Sequence, residues 1–221
     1  MAMGRTLSGV PTNARRRRRR RIDVIRMMWL VSVVVGGLLV GGYTGGMLNG
    51  MAEQQQLNQQ WLGEVNHPQP AKAEVDPGLK QPVNGIDFAI RIPKLGYFAA
   101  VKEGIDAGVL YRSPGHYPST PWPGDPGMVG VAAHNVYWIN FPQLTKGDEV
   151  DIETRYGLYK YRVTGSAVVN PDDRTVLIPQ ANGFHLTLTT CWPLWAGAFA
   201  TQRYVIFTDQ IWPVTIRPSY T

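Results

Sequence analysis

The sequence predicts an all-β domain, a closed or nearly closed barrel, carried behind one N-terminal membrane-spanning helix. Three observations predict it. Residues 27–52 contain no Asp, Glu, Lys, Arg or His and open on an almost unbroken apolar run. From residue 86 onward, short runs rich in Val, Ile, Thr, Tyr and Phe alternate with Gly and Pro at strand-like spacing. Helical periodicity is scarce over that stretch, apart from a short candidate over residues 104–112. A chain of 221 residues has room for one medium domain plus appendages, not for two full cores.

The N-terminal part divides by charge. Nine of the 22 basic residues precede position 27, among them the unbroken run Arg15 to Arg21, and only Asp23 opposes them. The remaining thirteen basic and fifteen acidic residues leave the rest near neutral, which argues against a nucleic-acid-binding surface. Residues 1–26 therefore read as a cytoplasmic Arg-rich tail and 27–48 as a transmembrane helix, since about 20 apolar residues cross the hydrocarbon layer. A cleaved signal peptide is the rival, but its apolar core is normally only about 7–15 residues. Cationic flanks stay inside, so everything beyond the span is expected to be extracytoplasmic, with the arginines also near anionic lipid headgroups. Residues 49–85, glutamine-rich at first and then proline-punctuated, read as a short helix and an irregular tether holding the folded domain off the bilayer.

Residues 86–221 are expected to form the catalytic domain. Candidate strands are 86–92, 96–102, 128–133, 136–141, 149–153, 158–169, 175–178, 184–191 and 203–208. In the run Phe184 to Cys191 the two-residue period puts Phe184, Leu186 and Leu188 on one face. His185, Thr187, Thr189 and Cys191 fall on the other, and Pro193 stops the ladder. Cys191 thus closes a strand, where loops can build a site around it.

Cys191 is the only cysteine, which excludes an intramolecular disulfide. By composition alone a buried inert thiol and a catalytic one both remain open. If the next strand pairs antiparallel, its first residue Arg203 lies beside Cys191 at the spacing of neighbouring strands, about 4.8 Å; a surface salt bridge is the other ordinary fate of an arginine. Of four histidines, His67 lies in the tether. His185 is six residues from Cys191, roughly 20 Å along a strand. His134 closes an apolar run and marks a strand end, whereas His116, in Ser113-Pro114-Gly115-His116-Tyr117-Pro118, remains a competitor.

Taken in order, these pieces resemble the sortase family of cysteine transpeptidases. Thr187-Leu188-Thr189-Thr190-Cys191-Trp192-Pro193 matches its Thr-Leu-x-Thr-Cys strand, and Arg203-Tyr204-Val205-Ile206-Phe207 resembles the following arginine strand. Residues 113–118, Pro123-Gly124 and the stretch ending Ala132-Ala133-His134 resemble the segment leading to the family's histidine. The departure is Gly127-Met128, where Gly-Asn is frequent. The Thr-Thr-Cys-x-Pro form, the single amino-terminal anchor and the absence of a later apolar segment look most like class E.

The resemblance implies an eight-stranded barrel with one or two short helices, and the catalytic set His134, Cys191 and Arg203. It implies cleavage of a Thr–Gly bond in a sorting motif of surface proteins, with transfer to an amine of a peptidoglycan precursor or a pilin. No cofactor or metal is required; Asp172 and Asp173 lack a calcium-loop pattern and read as a solvated turn. Substrate contacts are expected from loops 170–183 and 192–202 and from Thr189, Thr190, Trp192 and His116, with Trp195 either a groove wall or a buried aromatic. The alternatives are a cysteine hydrolase releasing protein to water and a non-catalytic surface scaffold.

Overall fold

The computed structural model describes residues 13–65, 75–173, 175–177 and 183–213. The chain divides into two compact units, Met1–Leu48 and Asn49–Thr221. A single helix, α1 (Asn13–Glu64), supplies the described part of the first and the opening of the second. In the first unit it is long and apolar enough to cross a membrane. Its apolar side chains, such as Trp29, Leu38 and Leu39, are exposed, as a lipid-facing helix requires.

The second unit is a closed barrel of eight strands. They are β1 (Ile86–Ile92), β2 (Tyr97–Glu103), β3 (Gly115–His116), β4 (Gly127–Ala133), β5 (Glu149–Thr154), β6 (Gly157–Val169), β7 (Phe184–Trp192) and β8 (Gln202–Trp212). Around the barrel the order is β1-β2-β3-β4-β7-β8-β6-β5. The β2/β3 and β4/β7 pairs are parallel and the rest antiparallel. Inward residues at the two-residue period, including Phe88, Ile90, Val131, Leu186, Leu188 and Ile206, form the core. Closure leaves no long edge to template aggregation.

Several expected elements differ. Residues 136–141 form no strand: they turn into a 3-10 segment, Phe141–Gln143. Trp138 and Phe141 stack with ring centroids 4.0 Å apart, and side chains three residues apart share a face in a helical turn, not in a strand. Residues 175–177 are likewise a 3-10 turn, entered through Asp173, whose Oδ1 accepts from Thr175 N at 2.9 Å; Ile178 lies outside the described residues. The helix expected over 104–112 is the short α2 (Ala107–Leu110), capped by Asp106. Strand β3, two residues long, fell inside an expected loop.

The tether also differs. The helix runs unbroken to Glu64, and residues 49–64 pack on the barrel instead of spacing it from anything. Because β3 is so short, the β2 edge at Phe98–Ala100 lacks a strand partner, and α1 covers it. Ala100 N donates to Asn58 Oδ1 at 2.7 Å, and Asn58 Nδ2 donates to Phe98 O at 3.3 Å. Gln54 Nε2 adds bonds to Asn58 Oδ1 and Ala100 O. One amide side chain thus occupies the place of a missing backbone amide. Further along, Trp61 is fully buried beneath the Arg155 guanidinium, which also bonds Glu64 and the carbonyls of Ile86 and Asp87. His67 lies outside the described residues.

Candidate active site

Three strand ends meet on one rim. In the β7/β8 ladder Cys191 stands directly opposite Arg203. In the β4/β7 ladder Ala133 stands opposite Thr190, so His134, the next residue, follows on the other flank of Cys191. The register gives Cys191 and Arg203 the same parity: residues 130 and 132, residues 187, 189 and 191, and residues 203, 205 and 207 share the outer face, and His134 follows directly after the last paired residue of β4, Ala133. The backbone of Arg203 therefore lies one strand away from that of Cys191, at about 4.8 Å, and His134 follows the β4 end on the other side.

The surroundings fit a reactive thiol. Cys191 is half-buried, neither sealed in the core nor fully open, so the scaffold reading, which needs a sealed sulfur, loses its premise. Among the described residues Arg203 joins no ion pair; its Nη1 donates to the Gln202 carbonyl at 3.1 Å. That leaves guanidinium donors for a developing oxyanion. His134 is half-buried, and partial burial pushes its imidazole below the ordinary value because the charged form is disfavoured there.

The threonines hold this rim together and do not line a groove. Thr190 points inward, 3% exposed, and its Oγ1 donates to the Ala133 carbonyl at 2.9 Å, immediately before His134. Thr189 is also buried, its hydroxyl 3.0 Å from that of Tyr117. Both substrate-contact expectations are corrected: the hydroxyls are committed to the protein. Asn135 Nδ2 donates to the Leu194 carbonyl at 2.8 Å, tying the loop after β4 to the loop after β7. No sequence signal pointed to Asn135, because its partner lies 59 residues on.

His116 is corrected as well. It is 2% exposed, with Nδ1 2.8 Å from Asp87 Oδ2 and Nε2 3.2 Å from the Pro121 carbonyl. Phe88 and Trp122 enclose the ring edge-on. Buried and engaged on both ring nitrogens, it props β1 against β3. His185 sits near the far end of β7, bonded to Asp209 at 2.7 Å. Trp192 leans on Tyr204 with centroids 5.4 Å apart, an internal support for the strand ends. Trp195 is not a buried ring: it is 86% exposed.

Beyond the rim, the outer face of β4 and β7 is roofed. A Cβ on Gly130 would lie 2.8 Å from Tyr117 and 3.0 Å from Leu177, so only glycine fits beneath that roof. Met128, the departure noted in the sequence, is buried and accepts from Thr187 Oγ1 at 2.8 Å. Leu177 belongs to loop 170–183, whose residues 174 and 178–182 lie outside the described residues.

The family model described as Sortase domain matches residues 90–211, more than half of the chain. Sortase D of Bacillus subtilis (strain 168) is 26% identical over 191 residues, covering 81% of this chain and 96% of the relative. The Clostridium perfringens Sortase D5 transpeptidase superposes with a TM-score of 0.61 at 25% identity, over 72% of this chain and 99% of that one. Sortase E of Streptomyces avermitilis gives a TM-score of 0.51 at 29% identity, over 59% and 90%.

Proposed function

The chain belongs to the sortase family of cysteine transpeptidases, and on that premise we propose that it cleaves the Thr–Gly bond of a Leu-Pro-x-Thr-Gly or Leu-Ala-x-Thr-Gly sorting motif and transfers the protein to an amine. The Cys191 thiolate attacks the threonine carbonyl and forms a thioacyl intermediate. His134, as imidazolium, donates a proton to the departing glycine amine. Arg203 stabilises the oxyanion. An amine of the cell wall or of a pilin then attacks the thioester, passes its proton to His134, and releases Cys191. Metal plays no part in these steps.

One observation supports this assignment above the others: Cys191 and Arg203 are register partners across β7/β8, and β4 delivers His134 to the opposite flank. No other histidine qualifies among the described residues, since His116 is engaged with Asp87 and His185 with Asp209. The Arg-rich tail before the apolar helix supports an inside amino terminus and an extracytoplasmic barrel at the cell membrane. The Thr190-Cys191-Trp192-Pro193 stretch supports class E; the relatives include both class D and class E enzymes.

The test uses the full chain in detergent micelles with each peptide and triglycine, read by mass spectrometry. Transfer product with triglycine and a thioacyl adduct on Cys191 are expected, and Cys191→Ala should abolish both. Free acid as the only product, unchanged by triglycine, would establish the hydrolase instead. Competition between the two peptides assigns the second motif position.

A further inference from the structure

The catalytic rim carries a set of apolar side chains that the chemistry does not use. Trp195 and Phe199 are 86% and 88% exposed, on the 3-10 segment Leu194–Phe199 that follows Cys191. Tyr111, Val136 and Ile139 are exposed as well. They come from loops cross-linked to one another: Asn135 Nδ2 bonds the Leu194 carbonyl, and Tyr137 OH bonds the Tyr111 carbonyl at 2.8 Å. Residues 192–202 include no ionisable side chain, so immersing this loop desolvates no charge. Large exposed aromatics grouped on one end mark a contact surface.

The chain itself says what that surface meets. Helix α1 reaches the barrel at Gly50, where a Cβ would lie 2.6 Å from the Tyr111 carbonyl and 3.1 Å from Tyr137 OH. Tyr137 N in turn donates to the His134 carbonyl. The point at which the barrel begins therefore lies on the catalytic rim. In sequence it is two residues after the apolar segment 27–48 closes. At about 1.5 Å per helical residue that interval spans only a few ångströms. Chain continuity alone therefore holds Gly50, and with it Tyr111 and Tyr137, within a few residues' reach of the end of the apolar segment.

We propose that the rim docks on the bilayer surface, with Trp195 and Phe199 inserted at the boundary between headgroups and acyl chains. Trp is the side chain most at home at that depth, its ring in the apolar layer and its N–H among the headgroups. Each ring removed from water favours the docked state on the order of tenfold. Docking turns the Cys191 rim toward partners held in the same membrane and away from solutes in bulk water. The inference rests on the membrane-anchored reading of residues 27–48 and is independent of the reaction.

The full chain carrying Cys191→Ala, with single nitroxide labels at Trp195→Cys, Phe199→Cys or Gln81→Cys, is reconstituted in vesicles of phosphatidylethanolamine and phosphatidylglycerol. Flotation reports the anchor; collision with oxygen against a water-soluble nickel complex reports the rim. Labels at 195 and 199 should meet oxygen in preference to nickel, and the label at 81, an exposed site away from the rim, the reverse. With the label at Ile139→Cys, adding Trp195→Ser and Phe199→Ser should lower the docked population on the order of a hundredfold. A chain that floats while 195 and 199 stay open to nickel overturns the docking alone. A chain that does not float overturns anchor and docking together. Labels shielded from both reagents, or broadened by a neighbouring spin, would assign the patch to a second copy and overturn the lipid assignment.

Discussion

Replacing Asn58 by Ala tests whether residues 49–64 belong to the barrel's fold or merely lead to it. The side chain holds both open groups of the β2 edge, accepting from Ala100 N at 2.7 Å and donating to Phe98 O at 3.3 Å. Ala100 is fully buried, so its N–H loses its partner where water does not reach. An orphaned buried donor costs about 1–3 kcal/mol, and the longer bond to Phe98 adds about 0.5–1 kcal/mol. Alanine's better helix propensity returns roughly 0.5 kcal/mol. The net loss is about 1–3.5 kcal/mol, or a fall in Tm of roughly 2–14 °C for a domain of this size.

The neighbouring Gln59 is exposed on the same helix, and Gln59→Ala changes propensity only, by a few tenths of a kcal/mol. Thermal unfolding of the full chain in micelles, followed by near-ultraviolet circular dichroism, reads the buried indoles of Trp61 and Trp138 directly. The expected order is wild type and Gln59→Ala together, with Asn58→Ala well below. Equal melting of the two variants would refute the edge-capping role and restore residues 49–64 to the status of a spacer.

Three further outcomes follow from the site. Thr190→Val removes the bond to the Ala133 carbonyl, freeing the strand end that carries His134; turnover should drop by about tenfold to a hundredfold, measured on the sorting peptides. Arg203→Lys keeps the charge but loses the planar fork, and kcat/KM should fall on the order of a hundredfold or more. Because His134 is pushed below its ordinary value by burial, the acid limb of the pH–rate profile should lie below about pH 6.5; an acid limb above that value would contradict the burial of the ring.

The parity of β7 was readable directly: alternation puts Leu186 and Leu188 inside and Cys191 outside, as the register shows. The pairing of Cys191 with Arg203 followed from two strands joined by one loop. What alternation cannot see is who lies across the barrel. His134 closes an apparent strand and His116 lies in an expected loop, yet both remain candidates by sequence, and Asp87, 29 residues before His116, is what decides between them. The docked helix left a trace of its own. Gly50, Gln54, Asn58 and Trp61 recur at helical spacing on one face, but a glutamine-rich composition reads as linker until the unpaired β2 edge supplies amides for those side chains to bond. The 3-10 turn at Thr175–Leu177 carried its signal too, in the Asp173 that caps it.

Burial of His134 bears directly on the proposed mechanism. The productive state pairs a thiolate with an imidazolium. Burial of His134 disfavours the very charge the reaction uses, so it lowers the share of molecules that hold the imidazolium near neutral pH and moves the acid limb downward. On the proposed mechanism the site trades population for position: Thr190, Asn135 and the β7/β8 register brace the strand ends around Cys191, and the gain is expected from orientation and from the Arg203 charge instead of from proton poise. A variant that exposes His134 without moving it should raise the plateau and shift the acid limb upward together; a change in only one of them would break that account.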